Sequence, residues 1–404
     1  MKKGWQTKTL GDLCDDVEYG SSAKSKADGG VPVLRMGNIQ DGRLDWENLV
    51  YTDDKAEIKK YLLKHNDVLF NRTNSPELVG KTAIYKSEMP AIFAGYLIRI
   101  HRKEDLLDGD YLTYFLNSEL AFDYGKTVVI SSVNQANING TKLKSYPIPA
   151  PSLAEQQRIV GLLDEAFAGL ATAKANAEKN LQNARALFAS HLQSVFTQRG
   201  PGWVETPFSE LCDIKHGYAF DGEFFSSEGE YVLLTPGNFY ERGGYRDRGE
   251  KQKYYTGEIP RDYVLNEGDL LVAMTEQAAG LLGSPILVPE SDKFLHNQRL
   301  GLVTKKPGVA WTNEFFFHVF NTQPVRKAIH ASASGVKVRH TSPTKIGDVV
   351  VAFPTSLSEQ KCIVTTLASL SEETQRLARL YERKLAALEA LKKSLLHQAF
   401  TGAL

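Results

Sequence analysis

The residues best suited to chemistry in this chain are amides and cations gathered in two stretches that carry no acid. Lys126–Lys144 includes SSVNQANINGTKLK, where Asn134, Gln135, Asn137 and Asn139 are backed by Lys126, Lys142 and Lys144. Val325–Ile346 carries Arg326, Lys327, His330, Lys337, Arg339, His340 and Lys345. Side-chain amides can pair bidentately with adenine while lysines hold phosphates, so both stretches have the residue types of a nucleic-acid-reading surface. A third candidate loop is Arg72, Thr73 and Asn74 in FNRTNSPELVGKT, with Gln277 near the corresponding place in the second half. Any one of these loops also fits a solvated turn; their recurrence in both halves is what sets them apart.

Covalent chemistry finds little footing. SPELVGKT (Ser75–Thr82) approaches a phosphate-binding loop but has Ser75 where the first glycine belongs, which leaves the backbone nest incomplete. No FxGxG-like loop for S-adenosylmethionine is present, nor an NPPY- or DPPY-type tetrapeptide for a flipped adenine. The nine histidines show no HExxH spacing, and no GxSxG elbow occurs. Asp15–Asp16 and Asp53–Asp54 could hold magnesium by residue type, but their polar surroundings read more simply as solvated faces. Cys14, Cys212 and Cys362 lie far apart without CxxC spacing, and we expect three buried, reduced thiols and no metal site. With 48 basic and 48 acidic residues there is no global field, so any nucleic-acid role rests on local patches. The segment MKKGWQTKTL lacks an apolar core, and no apolar run approaches the roughly 20 residues of a membrane span. A soluble, cytoplasmic protein without cofactors of its own is the expectation.

These loops must be held by a scaffold, and the chain contains that scaffold twice. GWQTKTLGDLCD (Gly4–Asp15) is echoed by GWVETPFSELCD (Gly202–Asp213), and SLAEQQRIV (Ser152–Val160) returns as SLSEQKCIV (Ser356–Val364). Between these landmarks VPVLRMGN (Val31–Asn38) matches YVLLTPGN (Tyr231–Asn238), and DVLFNRT (Asp67–Thr73) matches DLLVAMT (Asp269–Thr275). Such β-rich runs, with KTAIYK (Lys81–Lys86) and YLIRI (Tyr96–Ile100), alternate with Gly, Asn and Asp turns, and one helix is expected over Asp110–Leu120. The fold class is therefore mixed α/β: two globes built on twisted sheets, residues 1–151 and 200–354, each followed by a long helix, residues 152–199 and 355–404.

Each helix opens with a serine and, three residues on, a glutamate (Ser152 and Glu155, Ser356 and Glu359), the pattern of a capping box. Positions 163, 166, 170, 173, 177, 180, 184 and 187 and positions 367, 370, 374, 377, 381, 384, 388, 391 and 395 repeat at alternating steps of three and four. The first stripe is Ala-rich and the second Leu- and Tyr-rich, so pairing the two with each other buries both; a homodimeric coiled coil remains the alternative. At 1.5 Å per residue, a helix of about 45 residues spans about 67 Å.

Two globes, each followed by a helix that begins PSLAEQQRI or PTSLSEQKCI, resemble the specificity subunit of type I restriction-modification enzymes, HsdS. The resemblance extends over essentially the whole chain, and DVLFNRTNSPELVGKTAIY and SGVKVRHTSPTKIGDV are similar to that family's target recognition domains. It implies two recognition domains, each binding one half of a split, asymmetric DNA sequence, and an antiparallel helix pair that sets the gap. It also implies docking of two modification subunits, which use S-adenosylmethionine, and two restriction subunits, which use ATP and magnesium, with no catalysis by the chain itself. On residue type, the candidate DNA-binding residues within those domains are Arg72, Thr73, Asn74, Lys126, Asn134, Gln135, Asn137, Asn139, Lys142, Gln277, Lys337, Arg339, His340 and Lys345. The readings competing with this one are a coiled-coil scaffold that bridges proteins without touching DNA, and a nucleotide-dependent enzyme using Gly80, Lys81 and Thr82.

Overall fold

The structure, a computed structural model, describes residues 4–132, 135–277 and 280–404. The chain divides into two compact units: Met1–Lys179 with Tyr381–Leu404 (unit 1), and Asn180–Leu380 (unit 2). Each is built around a four-stranded antiparallel sheet of the same order. In unit 1 the order is Cys14–Tyr19, Leu97–Arg102, Val68–Asn71, Thr82–Ile84; in unit 2 it is Cys212–His216, Leu300–Lys305, Leu270–Ala273, Pro285–Leu287.

The unbroken apolar runs of the central strands follow from burial on both faces. Val68 and Phe70 face one core, shared with Tyr111, Leu112 and Phe115 of a helix, while Leu69 faces a second core beneath the small sheet that contains Val31–Leu34. Leu270 and Val272 divide from Leu271 and Ala273 in the same way. The helix expected over Asp110–Leu120 is two helices, Gly109–Leu116 and Glu119–Val128, because Ser118 caps the second. At the break, the Asn117 amide hydrogen-bonds both backbone groups of Thr82 at the neighbouring strand.

In each unit the first strand pairs with the last strand before a long helix, Gln6–Thr9 with Pro147–Ala150 and Trp203–Pro207 with Val350–Pro354. The helices that follow, Leu153–Thr197 and Leu357–Thr401, are continuous over 45 residues each. The first half of the capping box forms: the Ser152 and Ser356 hydroxyls accept from the Glu155 and Glu359 amides. The carboxylates turn elsewhere, Glu155 to Arg158 and Glu359 to the Trp203 indole N–H at 2.9 Å. The motif's glutamines do more: Gln156 and Gln360 are fully buried. Gln156 accepts from the Asp108 amide (2.9 Å) and donates to the Leu106 and Pro151 carbonyls (2.9 and 3.0 Å). Gln360 makes the same three bonds, to the Thr312 amide and the Ala310 and Pro354 carbonyls. A neutral amide with every partner in place fastens each long helix to its globe.

The two long helices pair within one chain. In unit 1, Ile159 and Leu163 share a core with Leu396, Ala399 and Phe400, and Lys174 meets Glu389 at 2.9 Å. In unit 2, Leu192 and Phe196 share a core with Leu367. The start of one helix accompanies the end of the other, so they run antiparallel.

The strict 3-4 seam fails at matching places. Asn180 and Leu187 are exposed, and 181 and 188 face inward instead; Lys384 and Leu391 are exposed, and 385 and 392 take their place. From 163 to 192, and from 367 to 396, 29 residues pass in eight steps. That is about 3.6 per step, the period of a straight helix rather than the 3.5 of a supercoil. Cysteine placement also departs from expectation: Cys14 and Cys212 are buried, the latter pushed up to about 12 by burial, but Cys362 is exposed.

Candidate nucleic-acid interface

The two candidate stretches of unit 1 lie some sixty residues apart in sequence and become neighbours through strand pairing. Thr73–Asn74 joins Gln135–Asn137 in antiparallel register, Asn137 opposite Thr73 and Ala136 opposite Asn74. Arg72 enters this junction half-buried. Its Nη1 donates to the Gly95 carbonyl (3.2 Å), its Nη2 to Asn137 Oδ1 (3.3 Å), and its guanidinium lies 4.8 Å over the Tyr19 ring. Asn137 in turn donates from Nδ2 to Thr73 Oγ1 at 2.8 Å, and Thr73 is buried. Asn74 accepts from the Ser75 amide at its Oδ1, and Gln135 is exposed.

The surrounding polar residues have structural partners. Asn139 caps the helix Gly140–Lys144 by accepting from the Lys142 amide, and the Lys142 ammonium donates to the Val128 carbonyl. Lys126 pairs with Asp123 at 2.7 Å and Lys144 with Asp16 at 2.7 Å, both at the surface. Asn134 lies outside the described residues. Exposed Tyr19 and Tyr96 flank Arg72, the latter accepting the Arg72 amide at its carbonyl. Neither is marked by sequence: Tyr19 belongs to a strand more than fifty residues upstream, and only the fold brings it under the arginine.

Unit 2 builds the same junction from other residues. Thr275–Glu276 pairs with Arg339–His340, Thr275 opposite His340. The Ile138 amide bonds the Arg72 carbonyl in unit 1, as the Thr341 amide bonds that of Met274 in unit 2; the Arg72 amide bonds Tyr96 as the Met274 amide bonds Arg299. Met274 thus stands where Arg72 does, Glu276 where Asn74 does, and His340 where Asn137 does. Glu276 is buried, its Oε2 accepting from the Gly280 and Leu282 amides at 3.0 and 2.9 Å. Its Oε1 lies 3.5 Å from His330 Nδ1 and 3.6 Å from Arg339 Nη1. Arg339 also donates to the His330 carbonyl, and Arg326 to that of Gly280. Burial lowers Arg326 to about 10 and, with the neighbouring Arg326 and Arg339, shifts His330 downward, which disfavours a further cation there. The acid-free stretch of sequence therefore folds around an acid drawn from elsewhere in the chain. Lys337, His340 and Gln277 are exposed, and Lys345 is half-buried with its ammonium 3.5 Å from Ser334 Oγ.

Other candidates dissolve into structure. After Gly80 and Lys81 the chain enters the strand Thr82–Ile84, whereas a phosphate loop needs a helix N-terminus there. Lys81 reaches Gln40 instead. Asp53 pairs with Lys26 and Asp54 caps the helix Lys55–Tyr61. Among the described residues no group of three or more potential metal ligands occurs, and no helix is long and apolar enough to cross a membrane.

Comparison with known proteins gives one consistent result. Residues 2–181 match the family model of the type I restriction modification DNA specificity domain. A putative type I restriction enzyme MjaX specificity subunit from Methanocaldococcus jannaschii is 23% identical over 420 residues, covering 100% of this chain and 94% of that one. The StySPI specificity subunit of Salmonella potsdam is 29% identical over 200 residues, 48% of this chain and 42% of its own length. In fold, the chain matches the crystal structure of the HsdS subunit from Thermoanaerobacter tengcongensis with a TM-score of 0.66 at 16% identity, over 100% and 98% of the two chains. A structure from work on assembly and conformational transition of the type I system matches with a TM-score of 0.75 at 16% identity, over 100% and 99%. The duplicated globe, the glutamine that fastens each long helix and these likenesses agree: residues 2–181 match the type I DNA specificity domain, and the whole chain is similar in sequence and fold to specificity subunits of type I restriction-modification systems.

Proposed function

We propose that this chain is the DNA-recognition subunit of a type I restriction-modification system and binds a split, asymmetric sequence, one half through each unit. The observation that carries this reading is sameness of scaffold with difference of residues at one strand junction. Both units hold the same sheet order and the same helix fastening. At the equivalent strand junction one unit has Arg72, Asn74 and Asn137, and the other has buried Met274 and Glu276 beside exposed His340. A duplicated frame with divergent polar junctions is what two unlike half-sites require, because base edges are told apart by their donor and acceptor patterns. Residues 1–151 and 200–354 serve as the recognition domains, and residues 152–199 and 355–404 as the helices that fix the gap between half-sites.

The chemistry then belongs to partners: two modification subunits carrying S-adenosylmethionine, and two restriction subunits using ATP and magnesium, in the cytoplasm. The exposed cations Lys126 and Lys337 and the half-buried Lys345 act on phosphates, so affinity falls steeply with salt. Selection of bound duplexes from a random pool by the complex containing this chain tests the function. Two short motifs at a constant separation are expected, and an unenriched pool would favour a scaffold that does not read DNA.

A further inference from the structure

Resting on the DNA-reading function above, we infer that Arg72 reads a guanine in the half-site bound by unit 1, and that Asn137 is the positioning residue that aims it. The guanidinium is held on three sides before any ligand arrives: the Gly95 carbonyl on Nη1, Asn137 Oδ1 on Nη2, and the Tyr19 ring along one face. Its Nε is buried. Tyr19 is itself fixed, its hydroxyl accepting from the Gly140 amide at 2.7 Å. These contacts engage one hydrogen on each Nη and leave the other on each Nη for a ligand, with the guanidinium already held in place. A guanine is the base whose major-groove edge offers two adjacent acceptors, O6 and N7, and arginine matches them with two parallel N–H groups.

Asn137 suits adenine by residue type, but its amide is already committed at both ends, Oδ1 to Arg72 and Nδ2 to buried Thr73. A bidentate contact with adenine needs those same two atoms turned outward together. The amide therefore works through the arginine. In unit 2 buried Met274 occupies the equivalent place, so this contact exists in one half-site and the other serves as an internal control.

The test uses the full chain produced with the modification subunit of its own system, selection from a randomised duplex library, and sequencing of the bound pool. The unsubstituted complex should select a split motif with a guanine at one position of one half. R72A should lower the preference for that guanine about 5- to 150-fold while leaving the other half-site unchanged. R72K should relax the same position, since an ammonium is a point charge without a fork. N137A should relax it partially, and N137D, which keeps an acceptor for Arg72, should retain it. Unchanged preference in the second half-site reports that each variant is folded; if R72A is insoluble, R72K and N137A carry the test. Wild-type preference in R72K or R72A, relaxation at a base other than guanine, or an equal loss on every sequence would overturn the inference. If the unsubstituted complex selects no motif, the proposed function fails first and this inference falls with it.

Discussion

Gln156 and Gln360 show what a single side chain decides here. Each occupies a dry site with three hydrogen bonds to backbone groups that have few other options. Removing one leaves a buried amide and two carbonyls unpaired. Q156A or Q360A should therefore destabilise the chain by about 2–4 kcal/mol in chemical denaturation. Q360E should cost at least as much, because a carboxylate cannot donate to Ala310 and Pro354. At this scale sequence told residue types but not their duties. Asn139 and Lys142 stand in an acid-free, DNA-like stretch, yet one caps a helix and the other holds a helix end. Glu276 drew no notice as an acid, and folding places it under Arg339 and His330. Spacing along a chain cannot reveal a partner that arrives through strand pairing sixty residues away.

Among the elements, the long helices and the sheet strands were legible because burial imposes period. The strands Val68–Asn71 and Leu270–Ala273 carry continuous apolar runs, and two cores explain them. The seam of the long helices was legible only in part, since a straight helix drifts off a strict seven-residue repeat. The drift separates two outcomes. L391A and L187A, at exposed positions, should change stability by no more than about 0.5 kcal/mol, whereas L367A, in the unit 2 core, should cost about 2–5 kcal/mol. Equal, large losses at 187 and 367 would restore the strict heptad. The break between Gly109–Leu116 and Glu119–Val128 was signalled by Ser118, a favoured N-cap residue, but Thr82, which holds Asn117 at the break, is a partner that only the fold brings near.

For the whole molecule, acid is the discriminating condition. His296 and His318 of unit 2 are both lowered to about 4 by burial. An unfolded histidine binds its proton near pH 6.5, so between that pH and about 4 the unfolded state holds more protons than the folded one. Stability is accordingly full above pH 6.5 and declines as pH falls towards 4, by up to about 3 kcal/mol for each histidine. Melting temperature at pH 7 and pH 5 measures this, and H318F, which replaces a ring packed against Phe188 and Phe317, should shrink the difference. The duplication was the most legible feature of all, because its landmarks, Trp5 and Trp203, Cys14 and Cys212, Gln156 and Gln360, sit at equivalent core positions. What could not be read was which bases the proposed recognition junctions would select, since the junctions are where the two copies differ.

The most direct measurement of the central claim is the map of methylated adenines in DNA exposed to the complex containing this chain. Two dissimilar short motifs separated by an invariant number of unread base pairs are the predicted result. Methylation at a single contiguous motif, or at sites with no fixed separation, would contradict it.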